Sequence, residues 1–192
     1  TTLPKQEKKE MRVLSLEEQQ KFMNVLDNDK SGIIFKLDLA TGLRRGELLA
    51  LRWKDIDLKE GVLKVNQALY RAKVNFDKDS TENKTEVIFQ KPKTKKGERS
   101  IPLFSSIITD LKEHKANETA KFKMLEWDDL KIKQHFKDGL VFTNELGSFI
   151  EPRNLTRKFY SLVKAAGIPK ANFHSLRHSF ATRLLEMGES PK

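Results

Sequence analysis

The chain has 192 residues, a formal net charge of +10 and no cysteine. Hydrophobic residues make up 38% and charged residues 33%, a balance typical of a globular domain rather than a disordered chain. The lack of cysteine excludes a disulfide framework, a thiolate zinc site and a cysteine nucleophile. The positive charge favours a polyanionic partner, either nucleic acid or an acidic membrane face. Because the sequence has no apolar run of bilayer length and no signal-peptide pattern, we expect a cytoplasmic protein.

The first residues form a segment without hydrophobic periodicity. Residues 1–12 are polar and rich in Lys and Glu, which predicts a linker or the remnant of a preceding domain. Ser15 and Glu18 then have the three-residue spacing of a capping box. An apolar stripe follows them, so the first helix is predicted to begin at this point.

A second helical pattern extends over residues 33–53 and is interrupted at Thr41-Gly42. Thr41 is predicted to cap the helix that follows the interruption. Arg44 and Arg45 would then fall in the first turn of that helix, where cations oppose the helix dipole. A purely stabilising role for these arginines is therefore disfavoured.

Alternating apolar and polar residues follow in three stretches, 61–70, 85–90 and 99–104, which predict three short strands. The polar residues 73–84 are predicted to form an excursion between the first two strands. Between the last two strands, "KPKTKKGER" at residues 91–99 is predicted to form a tight, strongly basic hairpin tip.

The rest of the chain is mainly helical. Helical periodicity extends from Ile107 towards Lys131, and residues 139–150 are predicted to form a short hairpin. A helix over residues 154–166 ends at Gly167, and a last helix follows His174. The predicted fold class is a mainly helical α+β domain with a small three-stranded antiparallel sheet.

Three basic clusters carry the candidate chemistry: residues 40–58, residues 91–99 and residues 174–178. Each of them alone is compatible with a solvated surface. The spacing of His174 and His178 would suit zinc, but the glutamate of a protease motif is absent and no third ligand is evident, so no metal site is predicted.

Taken together, the clusters indicate a site for phosphate chemistry. Two arginines, a histidine and a lysine from distant segments could surround one phosphate. The planar fork of arginine suits the equatorial oxygens of a five-coordinate phosphoryl transition state. A lysine on a mobile hairpin could donate a proton to the leaving oxygen.

These segments resemble the catalytic domain of the tyrosine recombinases of the phage and conjugative-transposon integrase type. "ATGLRRGELLALRWKDID" is similar to the family's first motif, T-G-x-R-x-x-E-L followed by W-x-D-I. "PKTKKGERSIPL" resembles its β-hairpin, and "HSLRHSFAT" resembles its second motif, H-x-L-R-H-x-x-A-T. The motifs have the family's order and approximate spacing, over roughly residues 11–190.

The resemblance implies roles for individual residues. The implied catalytic residues are Arg44, Lys93, His174 and Arg177. The implied DNA-binding residues are Arg45, Lys91, Lys95, Lys96 and Arg99. Lys95 remains the alternative to Lys93 as general acid, because the alignment of the loop is ambiguous by one or two positions.

Two further residues are expected to support the site. Glu47 occupies the family's acidic position and is expected to hold the turn that carries the arginines. His178 is expected to be a buried, hydrogen-bonded support rather than a catalyst.

The sequence departs from the family pattern after the second motif. The family places a further His or Trp and then the tyrosine nucleophile two to three dozen residues later, whereas the two tyrosines of this chain are Tyr70 and Tyr160. Residues 13–192 are therefore expected to be a catalytic domain truncated before its nucleophile. Residues 1–12 would be the linker from a missing core-binding domain.

The implied activity is site-specific DNA recombination through a 3′-phosphotyrosyl intermediate, with double-stranded DNA as partner. The covalent bond conserves energy, so neither a cofactor nor a metal is implied. The full-length protein is expected to assemble on DNA as a homo-oligomer, a tetramer. This chain alone is expected to be monomeric and inactive in cleavage. The alternatives are a non-catalytic DNA-binding relative that uses the same basic groove, and an RNA-binding structural protein, which would not explain the ordered motifs.

Overall fold

The computed structural model describes residues 12–73, 85–91 and 98–186. These residues form a mainly helical α+β domain, as the sequence predicted. The helices are α1 (Leu16–Asp27), α2 (Gly32–Thr41), α3 (Arg45–Ala50), α4 (Ser105–Met124), α5 (Asp129–Asp138), α6 (Pro152–Ala165) and α7 (Phe173–Glu186). The strands are β1 (Ile56–Asp57), β2 (Val62–Val65), β3 (Ala68–Lys73), β4 (Thr85–Gln90) and β5 (Arg99–Pro102). None of the described helices combines the length and the apolar character that crossing a membrane requires.

The core is built where α1, α2, α6 and α7 meet. Phe22, Phe35, Phe159 and Phe173 come from these four helices in turn, with ring centroids 5.5–6.4 Å apart in the contacting pairs. Edge-on and tilted contacts of this kind suit the charge distribution of aromatic rings. This cluster fixes α7, which carries the second motif, against α2, which leads into the first motif.

The start of α1 is the predicted capping box. The Ser15 hydroxyl accepts a hydrogen bond from the Glu18 backbone N–H at 3.1 Å, and the Glu18 carboxylate accepts one from the Ser15 N–H at 2.8 Å. The two bonds satisfy donors that a helix start otherwise leaves unpaired. The prediction from the spacing of these two residues is confirmed.

The segment before α1 is attached to α7 by a clamp, formed by Leu14, Ser179 and Arg183. Leu14 is fully buried, and its N–H donates to the Ser179 hydroxyl oxygen at 2.8 Å. The Leu14 carbonyl accepts from Arg183 Nη2 at 3.1 Å, and the Ser179 hydroxyl donates to the Ser175 carbonyl at 2.8 Å. The chain therefore enters the domain along the helix that carries the second motif.

The turn between α2 and α3 differs from the prediction. Thr41 is the last residue of α2, and its hydroxyl donates to the Leu37 carbonyl at 2.6 Å instead of capping α3. Gly42 ends α2 with a φ of 58°, a left-handed conformation that glycine adopts without strain. Arg44 then occupies the cap position of α3, and Arg45 is its first residue.

The strands form two antiparallel sheets, in the orders β1-β2-β5 and β3-β4. The stretch 61–70, predicted as one strand, is divided between β2 and β3. Asn66 and Gln67 lie between the two strands, and their side chains donate to the Asp55 carboxylate and the Ala50 carbonyl, both at 2.8 Å. These contacts with the preceding segment accompany the division of the strand, which alternation alone does not reveal.

Two predicted hairpins also differ. Strands β4 and β5 pair with β3 and β2 rather than with each other, so residues 91–99 do not join the two strands of one hairpin. Residues 139–150 contain a turn closed by the Asn144 N–H and the Ser148 carbonyl at 2.8 Å, but no strand forms there beyond the bridge of Leu140 to Arg52. Gly147, with a φ of 75°, lies in the predicted turn.

Helix α3 packs closely on β3 because of Gly46. A Cβ atom at this position would lie 2.6 Å from the Leu69 carbonyl oxygen, too close for any other residue without a backbone shift. The contact brings the arginines at the start of α3 next to Tyr70 and Arg71 of β3.

Candidate phosphate-binding site

The centre of the site is the buried carboxylate of Glu47, whose side chain is 8% exposed. Arg99, at the start of β5, donates to both of its oxygens, at 2.8 and 3.2 Å. Arg44 donates to it from its guanidinium at 2.9 Å and from its backbone N–H at 2.8 Å. Glu47 therefore holds the arginine turn, as expected from the sequence, and also ties this turn to β5.

Arg177 reaches the same turn from α7. Its Nη1 donates to the carbonyl of Gly42, the residue that ends α2. The Gly42 carbonyl can accept this hydrogen bond because the left-handed conformation of Gly42 turns the chain away from α2. The second motif is thus attached to the first through one backbone group.

The electrostatic coupling of these groups is visible in two pKa shifts. Burial lowers the pKa of Arg177, and the neighbouring guanidiniums of Arg44 and Arg99 lower it further. Burial alone would raise the pKa of Glu47, but hydrogen bonds from Arg99 and from the Arg44 backbone outweigh burial and lower it. Three guanidiniums are therefore concentrated around one carboxylate, which leaves the cluster with an excess of positive charge.

Of the three arginines, Arg44 lines an open groove of about 940 Å³. Arg44, 60% exposed, and His174, exposed in the first turn of α7, both line it. The structure therefore brings three of the predicted catalytic residues, Arg44, His174 and Arg177, to one region. A phosphate in the groove would meet the free donors of Arg44 and the imidazole of His174.

The outer wall of the groove consists of residues that the sequence analysis mostly missed. Arg45, which was predicted, donates to the Thr156 hydroxyl at 2.7 Å, and Arg71 pairs with Glu151 at 2.9 Å. The charged and aromatic lining residues that were not predicted include Tyr70, Arg71, Arg153, Arg157 and Tyr160. A signal was present for three of them, because 153, 157 and 160 have the i, i+4, i+7 spacing of one helix face.

Other predicted residues lie elsewhere or outside the described residues. Lys91 is exposed directly after β4, whereas Lys93, Lys95 and Lys96 fall in the segment 92–97, which is outside the described residues. His178 is half-buried rather than buried. Within the described residues, no group of three or more His, Asp or Glu side chains has the geometry of a metal site.

Comparison with known proteins identifies the architecture. The sequence profile of the phage integrase family matches residues 12–192. The chain belongs to the phage integrase family. The resemblance to the tyrosine recombinases, inferred from the two motifs and the basic segment between them, is thereby confirmed.

Curated members of the integrase family match most of this chain. A XerC-like tyrosine recombinase of Caldanaerobacter subterraneus is 36% identical over 182 residues, which cover 93% of this chain and 44% of the relative. The integrase of Staphylococcus phage L54a is 31% identical over 156 residues, 79% of this chain and 39% of the relative. The chain therefore spans less than half the length of these two proteins.

Solved structures of integrases and recombinases share the fold. The Tn1549 transposon integrase, in complex with transposon right end DNA, has a TM-score of 0.72 at 22% identity, with 96% of this chain and 56% of that chain covered. The XerA recombinase has a TM-score of 0.61 at 22% identity, with 93% and 52% covered. At this level of identity the likeness establishes the fold.

Proposed function

We propose that the chain is the phosphate-binding part of a site-specific DNA recombinase. The observation that carries the proposal is the cluster of Arg44, Arg99 and Arg177 around Glu47, beside His174 in an open groove. Guanidinium groups that are fixed before the substrate arrives stabilise charge that develops on phosphate oxygens. Membership of the integrase family, and relatives that are recombinases and integrases, support this choice of reaction.

In the intact enzyme, a tyrosine hydroxyl gives up its proton to solvent, its oxygen attacks the scissile phosphorus, and the bond to the 5′ oxygen breaks. The product is a 3′-phosphotyrosyl bond and a free 5′-hydroxyl, which takes its proton from a general acid. Arg44 and Arg177 stabilise the non-bridging oxygens, and His174 donates a hydrogen bond to the phosphate. Rejoining reverses these steps with the 5′-hydroxyl of another strand.

Lys93 is the proposed general acid, with Lys95 as the alternative. The proposed nucleophile is a tyrosine that follows the second motif in the intact enzyme, and residues 1–12 are proposed to link to a preceding core-binding domain. The proposed partner is duplex DNA, on which the intact enzyme assembles as a tetramer. Lys91, Lys95, Lys96, Arg45 and Arg99 are proposed to contact the DNA backbone, and Arg99 also donates two hydrogen bonds to Glu47.

A substrate with a bridging 5′ sulfur tests the roles of these residues in the intact enzyme. A thiolate leaves without a proton, so the substrate should restore cleavage by the general-acid variant Lys93→Ala, with a defect of about 10²- to 10⁴-fold on the normal substrate. Arg44→Ala and Arg177→Ala should stay impaired, because sulfur does not replace the charge that they supply. If the sulfur substrate restores cleavage by Lys95→Ala instead, the general acid is Lys95. If it restores cleavage by neither variant, both lysines only bind DNA.

The 192-residue chain itself offers two simpler tests. We expect it to bind duplex DNA weakly, with log K falling against log[salt] at a slope of about −4 to −5 if about five phosphates are neutralised. Independence of salt would contradict binding in the groove. We also expect no covalent adduct on a suicide substrate, and an SDS-stable band that disappears in Tyr160→Phe would make Tyr160 the nucleophile.

A non-catalytic DNA-binding relative remains the second candidate function, because the same groove would serve it. The intact protein distinguishes the two. A covalent DNA adduct that depends on a tyrosine after the second motif supports the recombinase, whereas tight binding without any adduct supports the binding protein.

A further inference from the structure

Asp38 is a buried carboxyl group that the proposed mechanism does not use. Its side chain is 0% exposed, and neither oxygen has a hydrogen-bond partner among the described residues. An ionised carboxylate in such a place is destabilising by several kcal/mol in general, unless it is paired or takes up a proton. The stability of the fold therefore does not explain why the Asp38 carboxyl group is buried.

The position of Asp38 connects it to the phosphate-binding cluster. It lies in the last turn of α2, and its backbone carbonyl accepts the N–H of Gly42 at 2.8 Å. The carbonyl of the same Gly42 accepts the hydrogen bond of Arg177. Asp38 therefore lies directly behind the turn that joins the two motifs.

The charges around Asp38 act on it in opposite directions. Burial raises the pKa of its carboxyl well above the ordinary value, Arg177 opposes this rise, and Glu47 adds to it. Lys36 of the same helix is paired with Asp27 of α1 and Asp110 of α4. The other charged or titratable groups on the elements around this turn are Arg44 at the cap of α3, Arg45 of α3, Arg99 of β5, and His174, His178, Arg183 and Glu186 of α7.

We propose that Asp38 couples phosphate binding in the groove to the uptake of a proton. A phosphate that binds Arg177 screens the positive charge that favours the ionised form of Asp38, and the carboxylate then takes a proton from solvent. The bound complex thereby keeps a net charge closer to that of the empty site. This inference rests on the proposed function, because the phosphate is that of the DNA substrate.

The sign of the resulting pH dependence follows from linkage. A bound phosphate raises the pKa of Asp38, so the complex binds more protons than the free protein. DNA affinity therefore falls as pH rises through the interval between the free and bound pKa values, and does not change outside it through this group. One proton corresponds to at most a tenfold change in affinity for each pH unit, or about 1.4 kcal/mol.

His174 requires a matched background. Histidine in general can change its charge between about pH 5 and 8, so His174, which lines the groove, is replaced in both proteins. The comparison is therefore between His174→Gln and the double variant His174→Gln/Asp38→Asn. Asparagine has the shape of aspartate and carries no titrating group.

The experiment measures proton uptake directly, by calorimetric titration with a DNA duplex in two buffers of different ionisation enthalpy. A phosphodiester keeps its charge from about pH 5 to about pH 9, an interval that covers carboxyl groups whose pKa is strongly raised. We expect uptake of up to about one proton per duplex site by His174→Gln within part of this interval. The double variant should lose that uptake, and equal uptake by both proteins at every pH would overturn the inference.

A second measurement covers the case in which Asp38→Asn does not fold. The infrared band of protonated carboxyl groups, recorded on the His174→Gln protein with and without the duplex, should gain intensity on binding. No gain throughout the interval would overturn the inference even though DNA binds. Failure of the unmodified chain to bind DNA at all would instead overturn the proposed function, so the two failures are distinguishable.

Discussion

Two glutamates hold arginines at the groove, and they do so in different ways. The inner one, Glu47, is 8% exposed and accepts hydrogen bonds from Arg99, from Arg44 and from the Arg44 backbone. The outer one, Glu151, is 34% exposed and accepts one bond from Arg71 at 2.9 Å. The inner carboxylate is buried and accepts bonds from two guanidiniums and a backbone N–H, whereas the outer one is partly exposed and accepts a bond from one guanidinium.

The difference follows from burial. A charge-assisted bond inside a protein is poorly screened, and removal of one partner leaves the other uncompensated. An exposed ion pair contributes little, because water and salt screen it. The inner cluster is therefore suited to chemistry that requires fixed positions, and the outer wall to a positive surface that attracts DNA.

The largest effect is expected from Glu47→Gln. Loss of the buried negative charge leaves Arg99 and Arg44 facing each other and should lower the free energy of unfolding by about 3 kcal/mol or more. Urea denaturation of the variant and the unmodified chain measures the difference. The matched control is Glu151→Gln, and an equal effect of the two substitutions would remove the distinction between the inner and the outer carboxylate.

Acid should weaken the inner cluster specifically. The pKa of Glu47 is lowered in the folded protein, so its stabilising contribution is complete above the ordinary glutamate pKa of about 4.3 and is lost as pH falls through the folded pKa. The stability difference between the unmodified chain and Glu47→Gln should therefore shrink on acidification. A difference that stays constant from about pH 7 to about pH 3 would contradict this assignment.

A smaller loss is expected from Gly42→Ala. The residue has a φ of 58°, and a Cβ atom would lie 2.4 Å from the Phe180 ring of α7. Strain and displacement of the ring together should lower the free energy of unfolding by about 1–3 kcal/mol. DNA binding should weaken as well, because the Gly42 carbonyl positions Arg177.

Gly167→Ala is the control for backbone strain alone. This glycine has a φ of 67°, and an added Cβ would contact nothing within 4 Å. Its substitution should reduce stability by about 1 kcal/mol and leave DNA binding unchanged. An equal loss at both glycines would show that the contact with Phe180 does not matter.

The outer wall should affect DNA binding rather than stability. Arg153→Ala and Arg157→Ala each remove one exposed charge from the groove, so each should reduce the magnitude of the salt slope by about 1 if it contacts a phosphate. Lys133→Ala, an exposed charge on α5 away from the groove lining, is the control. Equal effects of the α5 and α6 substitutions would indicate that only net charge matters.

The smallest effect is expected from Glu151→Gln. The exposed pair with Arg71 should contribute less than about 1 kcal/mol to stability. Removal of a negative charge from the groove lining should increase DNA affinity slightly at low salt. A decrease in affinity would show that Glu151 positions Arg71 for DNA.

The inner cluster was partly predictable from the sequence, because the first and second motifs identify Arg44, Glu47 and Arg177. The bond between Glu47 and Arg99 was not, since the two residues are 52 positions apart and nothing in the local pattern pairs them. The capping box at Ser15 was predictable because its chemistry is local.

The sheets were harder to predict than the helices. Alternation identifies strands, but it does not show that one apolar stretch contributes to two sheets through side-chain bonds at Asn66 and Gln67. The arginines of α6 were overlooked for a different reason. Exposed charges on an amphipathic helix normally indicate a face that is in contact with solvent. Only the fold shows that this face of α6 lines the groove.

The clamp of Leu14, Ser179 and Arg183 joins the segment before α1 to α7, the helix that carries the second motif. A displacement of the backbone at Leu14 should move α7 through the buried bond of Leu14 to Ser179 and the bond of Arg183 to the Leu14 carbonyl. His174 and Arg177 lie in the first half of the same helix, five and two residues before Ser179. A displacement of the chain at Leu14 should therefore reach the two proposed phosphate-binding side chains over at most about one and a half helical turns.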